Sequence, residues 1–184
     1  MHKTNLATFE NRWYDTGAGT VKRFFWYVCN AIFFNSNALL PYAAKAAVLR
    51  MFGARIGRNV VIKPHVNIKY PWKLEIGENT WIGEGVWIDN LDRVTIGANA
   101  CLSQGALILC GNHDYSKTTF DLMVGPISIN DGAWIGARSV VTQGVCVGDH
   151  AVLGVGSVAS SDMKPYTIYR GNPAVEVKQR IIGE

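Results

Sequence analysis

Residues 76–88 read IGENTWIGEGVWI, with an aliphatic residue at every sixth position. The spacing extends in both directions. Upstream it takes in Ile56, Ile62 and Ile68; the quoted run gives Ile76, Ile82 and Ile88; downstream come Ile96, Leu102 and Ile108, then Ile129, Ile135, Val141, Val147 and Leu153. These fourteen hexads show no exception at position one. Position two is often Gly (Gly57, Gly77, Gly83, Gly97, Gly136, Gly148, Gly154), and position five is small or β-branched in eleven of the fourteen. The three exceptions, Trp72, Asp92 and Asn112, each fall in the third hexad of a run, and each run breaks just afterwards. Two residues intervene after 73, two after 93 and fifteen (114–128) after 113. Every insertion thus leaves from the same corner of an 18-residue coil that has three six-residue sides.

Six residues suffice for one short strand and one turn. The aliphatic residue points into a triangular core, the position-two Gly permits the backbone of a tight corner, and the small fifth residue lets coils stack. No coil buries its core alone, so coils pile into a prism. The expected fold is an all-β core, a parallel β-helix of hexapeptide repeats. Residues 1–55 form an N-terminal helical segment, 56–164 the β-helix with its loop at 114–128, and 165–184 a C-terminal tail. The N-terminal helices are expected at 21–34 and 42–52, the second closed by Gly53, and a short C-terminal helix at 175–182.

Position six faces outward and can be aligned by side. The first side gives Val61, Trp81, Cys101, Trp134 and Val152; the second Asn67, Trp87, Leu107, Val140 and Val158; the third Lys73, Arg93, His113, Cys146 and Lys164. Two largely apolar columns imply a covering surface. A three-sided prism most naturally closes as a homotrimer, and N-terminal helices of the same chain can cover part of it.

Composition narrows the class. Apolar residues make up 48% of the 184 and charged residues 17%, which argues against disorder and coiled coil. The net charge of +4 is too mild to imply nucleic acid. It is also uneven: residues 1–55 carry seven cations against two acids, a net +5, and the remainder eleven against twelve, a net −1. Cys29, Cys101, Cys110 and Cys146 have no metal spacing and read as free thiols of a reducing compartment. The opening MHKTNLATFENRWYD has acids and no hydrophobic run, unlike a secretory leader. Residues 24–44 lack charge over about the length of a membrane span, but Asn30, Asn35 and Asn37 would be costly inside one. A buried amphipathic helix followed by a break is the preferred reading. A helix lying on a membrane surface, edged by Lys22 and Arg23, is the other.

His113 closes the third coil and opens the one long loop. An imidazole at the mouth of a cleft suits a general base near neutral pH, with Asp114 or Tyr115 to orient it and Arg93 on the same column to favour the neutral form. His65 and His150, inside hexads with no loop beside them, read as surface residues. There is no Gly-rich phosphate loop and no GxSxG. The implied chemistry is proton removal by a lone base, with the reactive partner brought by a cofactor.

The hexads, the loop after His113, AWIG at 133–136, VLGVGS at 152–157 and GNPA at 171–174 resemble the hexapeptide-repeat acyltransferases. RMFGARIG at 50–57, IKP at 62–64, KYPWKL at 69–74, LSQG at 102–105 and NHDY at 112–115 are most similar to the colanic-acid-type exopolysaccharide acetyltransferases. The resemblance implies a left-handed β-helix, a homotrimer, and acetyl-CoA as co-substrate in a groove between subunits, with no metal required. It implies His113 as the base that deprotonates an acceptor sugar hydroxyl for attack on the thioester; the oxyanion formed needs a donor. It places acetyl-CoA near Trp134, Gly136, Ala137, Gly154, Val155 and Ser160, with Lys178 suited to the nucleotide phosphate. Gly83 stands where related sugar acetyltransferases have an acceptor-placing Asn, which leaves Trp87, Asp89 and Asn90, together with Asp114 and Tyr115, as acceptor-site candidates. Ser160-Ser161 replaces a common Thr-Lys.

The implied activity is O-acetylation of a saccharide in surface polysaccharide assembly. The location implied is cytoplasmic, at the inner membrane face if the acceptor is lipid-linked. N-acetylation of an amino sugar needs similar help from a base and stays open, as does a non-catalytic assembly protein on the same fold. A zinc carbonic anhydrase would need a second His soon after His113, and the sequence has none there.

Overall fold

The computed structural model describes residues 2–183. All fourteen position-one residues are buried, stacked along one axis. Their strands form three parallel ladders. The first face holds Val61–Ile62, Trp81–Ile82, Cys101–Leu102, Trp134–Ile135 and Val152–Leu153; the second Asn67–Ile68, Trp87–Asp89, Leu107–Leu109, Val140–Thr142 and Val158–Ala159; the third Arg55–Ile56, Leu74–Ile76, Val94–Ile96, Ile127–Ile129 and Cys146–Val147. The chain is a parallel β-helix.

The outward columns of the first two faces match the expected ones, pair by pair. The third differs. Its outward column is Arg55, Glu75, Thr95, Ser128 and Cys146. Lys73, Arg93 and His113 stay at the corner between the second and third faces, because the inserted residues themselves begin the next strand. Arg93 accordingly pairs with Glu75 at 3.8 Å.

The corners are also built differently from the sequence reading. The position-two glycines do not take left-handed φ. They are required because the next coil's backbone lies against them: a Cβ on Gly136 would stand 2.6 Å from the Leu153 carbonyl oxygen. The left-handed residue is at position four, in eleven hexads: Asn59, His65, Asn79, Gly85, Asn99, Gly105, Gly132, Arg138, Gly144, His150 and Gly156. His65 and His150 are therefore half-buried corner residues rather than simple surface groups. His65 Nε2 lies 2.7 Å from Asn37 Oδ1, and the His150 ring packs 4.8 Å from Tyr166. Position-five residues such as Val66, Thr80, Ala106, Ser139 and Ala151 are buried inside the corners.

Helix α1 (Thr20–Cys29), a π-helical continuation (Asn30–Phe34) and α2 (Tyr42–Met51) cover the first coil's open end. Trp26, Phe34, Ala46 and Leu49 join the core there, and each large side chain contributes roughly 1.5–3 kcal/mol by leaving water. The asparagine inside the uncharged stretch has a structural role: Asn30 accepts from Ile68 N at 3.3 Å and donates to Asn67 Oδ1 at 2.7 Å. Lys45 is buried, donates to the Lys63 carbonyl at 3.1 Å, and has its pKa lowered by that burial. The outer side of α1 exposes Phe24, Phe25 and Tyr27. Among the described residues no helix is long and apolar enough to cross a membrane.

Ahead of α1, residues 5–18 form a strap across the corner between the second and third faces. Tyr14 donates its hydroxyl to Leu91 O at 2.6 Å, Trp72 Nε1 donates to Thr16 O at 2.7 Å, and Asn5 N reaches Thr118 O at 2.8 Å.

The C-terminal tail corrects an expectation. Residues Thr167–Gly171 extend the first face, parallel to Val152–Leu153, and Ala174–Gln179 folds back as an antiparallel strand where a helix was expected. Val175 and Val177 alternate with Glu176 and Lys178, a period of two that suits β-branched residues in a hairpin.

Candidate active site

Leaving the second face, the chain forms a hairpin in which Gly111–His113 pairs with Leu122–Val124. The hairpin brings Phe120 back over His113. The two rings stack at 4.4 Å with planes 6° apart, and Phe9 of the strap closes from another side at 5.6 Å. His113 Nδ1 lies 2.9 Å from the Phe120 carbonyl oxygen. A carbonyl only accepts, so Nδ1 carries the proton and Nε2 holds the free lone pair. The orienting group is thus Phe120, in place of the expected Asp114 or Tyr115. Asp114 turns into the loop, accepting from Ser116 N at 3.0 Å and from its hydroxyl, while Tyr115 points into solvent.

His113 lines a cleft of about 670 Å³ with Phe9, Tyr14, Arg23, Lys69, Tyr70 and Asp89 among its walls. Asp89 is largely buried and pairs with Lys69 at 2.9 Å. Asn90 is committed elsewhere: it accepts from Tyr70 N at 2.9 Å and donates to Tyr70 O at 2.6 Å, so it clamps the neighbouring coil and leaves the cleft. Trp87 lines an adjoining aromatic cavity. Beneath the hairpin, burial pushes the Cys110 thiol up to about 12, with Asp92 O as its hydrogen-bond acceptor at 3.8 Å. Burial likewise raises the pKa of Tyr14 and lowers that of Lys73, whose Nζ donates to Leu91 O at 2.7 Å and Asp15 O at 2.9 Å.

A second groove, of about 920 Å³, lies along the first face and its corner with the second. Trp134, Gly136, Ala137, Gly154 and Val155 line it, five of the seven residues expected around acetyl-CoA. Ser160 and Lys178 do not line it; Lys178 pairs with Ile168 on the exposed hairpin. Two basic residues missed in the sequence, Arg170 and Arg180, do. Arg180 is already bound to the Gly132 and His150 carbonyls at 3.0 Å. Ser103 holds Trp134 Nε1 at 2.9 Å. The two grooves share no lining residue and occupy different corners of the prism. Among the described residues no group of three or more His, Cys, Asp or Glu stands together to hold a metal ion.

Comparison with known proteins places this geometry. A profile described as the hexapeptide repeat of succinyl-transferase matches residues 126–159. The putative colanic acid biosynthesis acetyltransferase WcaF of Escherichia coli (strain K12) is 36% identical over 165 residues, 90% of this chain and 91% of that protein. The chain belongs to the hexapeptide-repeat acetyltransferases. This hexapeptide-repeat acetyltransferase is also 25% identical to the galactoside O-acetyltransferase of the same strain, over 79% of its own length and 73% of that protein's. The fold recurs, with a TM-score of 0.80 and 22% identity over 90% and 92% of the two chains, in a hexapeptide-repeat-containing acetyltransferase from Vibrio cholerae O1 biovar eltor solved with acetyl coenzyme A. The hexapeptide-repeat acetyltransferase described above is accordingly an acyltransferase.

Proposed function

We propose that this protein transfers the acetyl group of acetyl-CoA to a hydroxyl of a saccharide in exopolysaccharide biosynthesis, with His113 as general base. The observation that carries the reading is the Nδ1–H to Phe120 carbonyl bond, which leaves the Nε2 lone pair free in a cleft walled by Asp89, Lys69 and Tyr70. Nε2 takes the hydroxyl proton as the sugar oxygen attacks the acyl carbon, and returns it to the departing sulfur. Asp89 and Trp87 are the acceptor contacts; one binds hydroxyls and the other stacks on a sugar ring.

Acetyl-CoA, when bound, supplies the activated acyl carbon. The first-face groove fits it: Trp134, Ala137 and Val155 offer apolar walls to the pantetheine arm, and the exposed Arg170 offers charge to a phosphate. Since the two grooves lie on different corners, His113 of one copy serves the groove of its neighbour. A symmetric homotrimer provides that arrangement, with the apolar columns carrying Trp81 and Trp134 at the contact. The exposed aromatics of α1 fit peripheral contact with a membrane that presents a lipid-linked acceptor.

The test is acceptor-dependent thiol release from acetyl-CoA over a panel of sugars, nucleotide sugars and lipid-linked sugars, with His113→Ala alongside. The variant is expected to lose roughly 10²–10⁴-fold in kcat. Undiminished release by His113→Ala would overturn the assignment of the base, and failure to bind CoA would overturn the enzyme reading.

A further inference from the structure

Arg23, in the first turn of α1, lies on a wall shared by two cavities. One is the His113 cleft. The other, of about 480 Å³, is lined by Phe24, Trp26, Tyr27 and Trp87 among others. Lys69, Tyr70 and Asp89 also border both, so the cavities form one trough that runs from His113 to the outer side of α1.

The inward-facing cations around this trough are matched, with one exception. Lys69 pairs with Asp89 at 2.9 Å, and Lys73, beside Tyr14 and Leu91 of the cleft wall, donates to Leu91 O and Asp15 O. Arg23 gives only Nη2, to Thr20 Oγ1 at 3.2 Å. Its Nε is buried with no hydrogen-bond partner, and no ion pair among the described residues includes it. Buried donors without partners are rare in folded proteins, and each calls for an explanation. The paired Nη groups at the end of the guanidinium match two oxygens of a carboxylate or phosphate.

We propose that Arg23 is an anion-recognition residue of the acceptor trough, selecting acceptors that carry an anionic oxygen group, a phosphate ester or a uronate carboxylate, beside the hydroxyl to be acetylated. The inference rests on the reading of the His113 cleft as the acceptor site. The anion meets the Nη end of the Arg23 guanidinium, where the side chain lines the trough, while the hydroxyl meets His113 Nε2, so charge recognition and proton removal act on one molecule from two ends of the trough.

The full-length protein is assayed with matched acceptors: a sugar phosphate, a glycuronoside, and the neutral methyl glycoside of each sugar. Wild type should show higher kcat/KM for at least one anionic acceptor than for its neutral match. Arg23→Gln should lower that ratio by about 10- to 100-fold, and Arg23→Lys, which keeps a point charge without the fork, should restore part of it. The phosphate and uronate arms tell which anion is natural. An unchanged ratio in both variants would overturn the proposal. Calorimetric titration with the same sugar phosphate and glycuronoside separates this from failure of the acetyl-transfer reading. Anion binding by wild type that Arg23→Gln loses would sustain the subsite even where no acetylation occurs; no difference between the two proteins would sink it.

Discussion

Phe120 supports His113 twice, through its carbonyl on Nδ1 and through its ring stacked 4.4 Å away. Only the second contact belongs to the side chain. Phe120→Ala keeps the carbonyl and frees the imidazole to swing, so kcat should fall about 10- to 100-fold while Phe120→Tyr stays near wild type; parallel melting curves check that the fold is intact. Cys110 offers a second test at this scale. Its pKa is raised in the folded chain by burial, so its stabilising contribution is complete below the ordinary thiol value of 9.0 and is lost as pH rises through about 12. Relative to Cys110→Ala, the wild type should therefore lose stability above pH 9, by at most about 1.4 kcal/mol per pH unit. Urea unfolding of the two proteins across that range reads the difference, with the other titrating groups cancelling.

At the corners of the coils, two kinds of residue act differently. Asn99 holds a left-handed φ of 55° at an exposed corner, so Asn99→Ala should cost about 1–2 kcal/mol and Asn99→Gly close to nothing. Gly136 has an ordinary φ but no room for a side chain, so Gly136→Ala should cost about 1–3 kcal/mol; thermal melts of the three variants would show the order. The aliphatic period made the core and two of the three faces legible, because one buried residue every six positions leaves little else to build. The corner rule was not legible, because position four is filled by Asn, His, Arg and Gly alike and a shared φ has no single residue signature. The third face was misaligned for a related reason: spacing shows that two residues are inserted but not on which side of the corner they fall. The C-terminal hairpin was hidden behind Pro173, although the alternation at 175–178 signals a strand.

Across the whole molecule, the two grooves sit on different corners of the prism. If each site joins His113 of one copy to the first-face groove of the next, two inactive variants should rescue each other. His113→Ala mixed and reassembled with Ala137→Trp, which fills the groove, should recover about one quarter of wild-type activity in a randomly mixed trimer; neither variant should do so alone, and size-exclusion chromatography confirms the assembly. His113 and most of the groove were readable because they sit on the repeat. Arg23, Tyr14 and Phe9 were not, because nothing local in a strap or a first helical turn says which distant coil it crosses.

That strap has a practical consequence. Asn5 is hydrogen-bonded to Thr118 in the loop that carries Phe120, and Phe9 leans on the imidazole. The opening residues, where a purification handle is usually fused, are part of the wall around the reactive nitrogen. A tag placed there is expected to depress turnover without lowering the melting temperature.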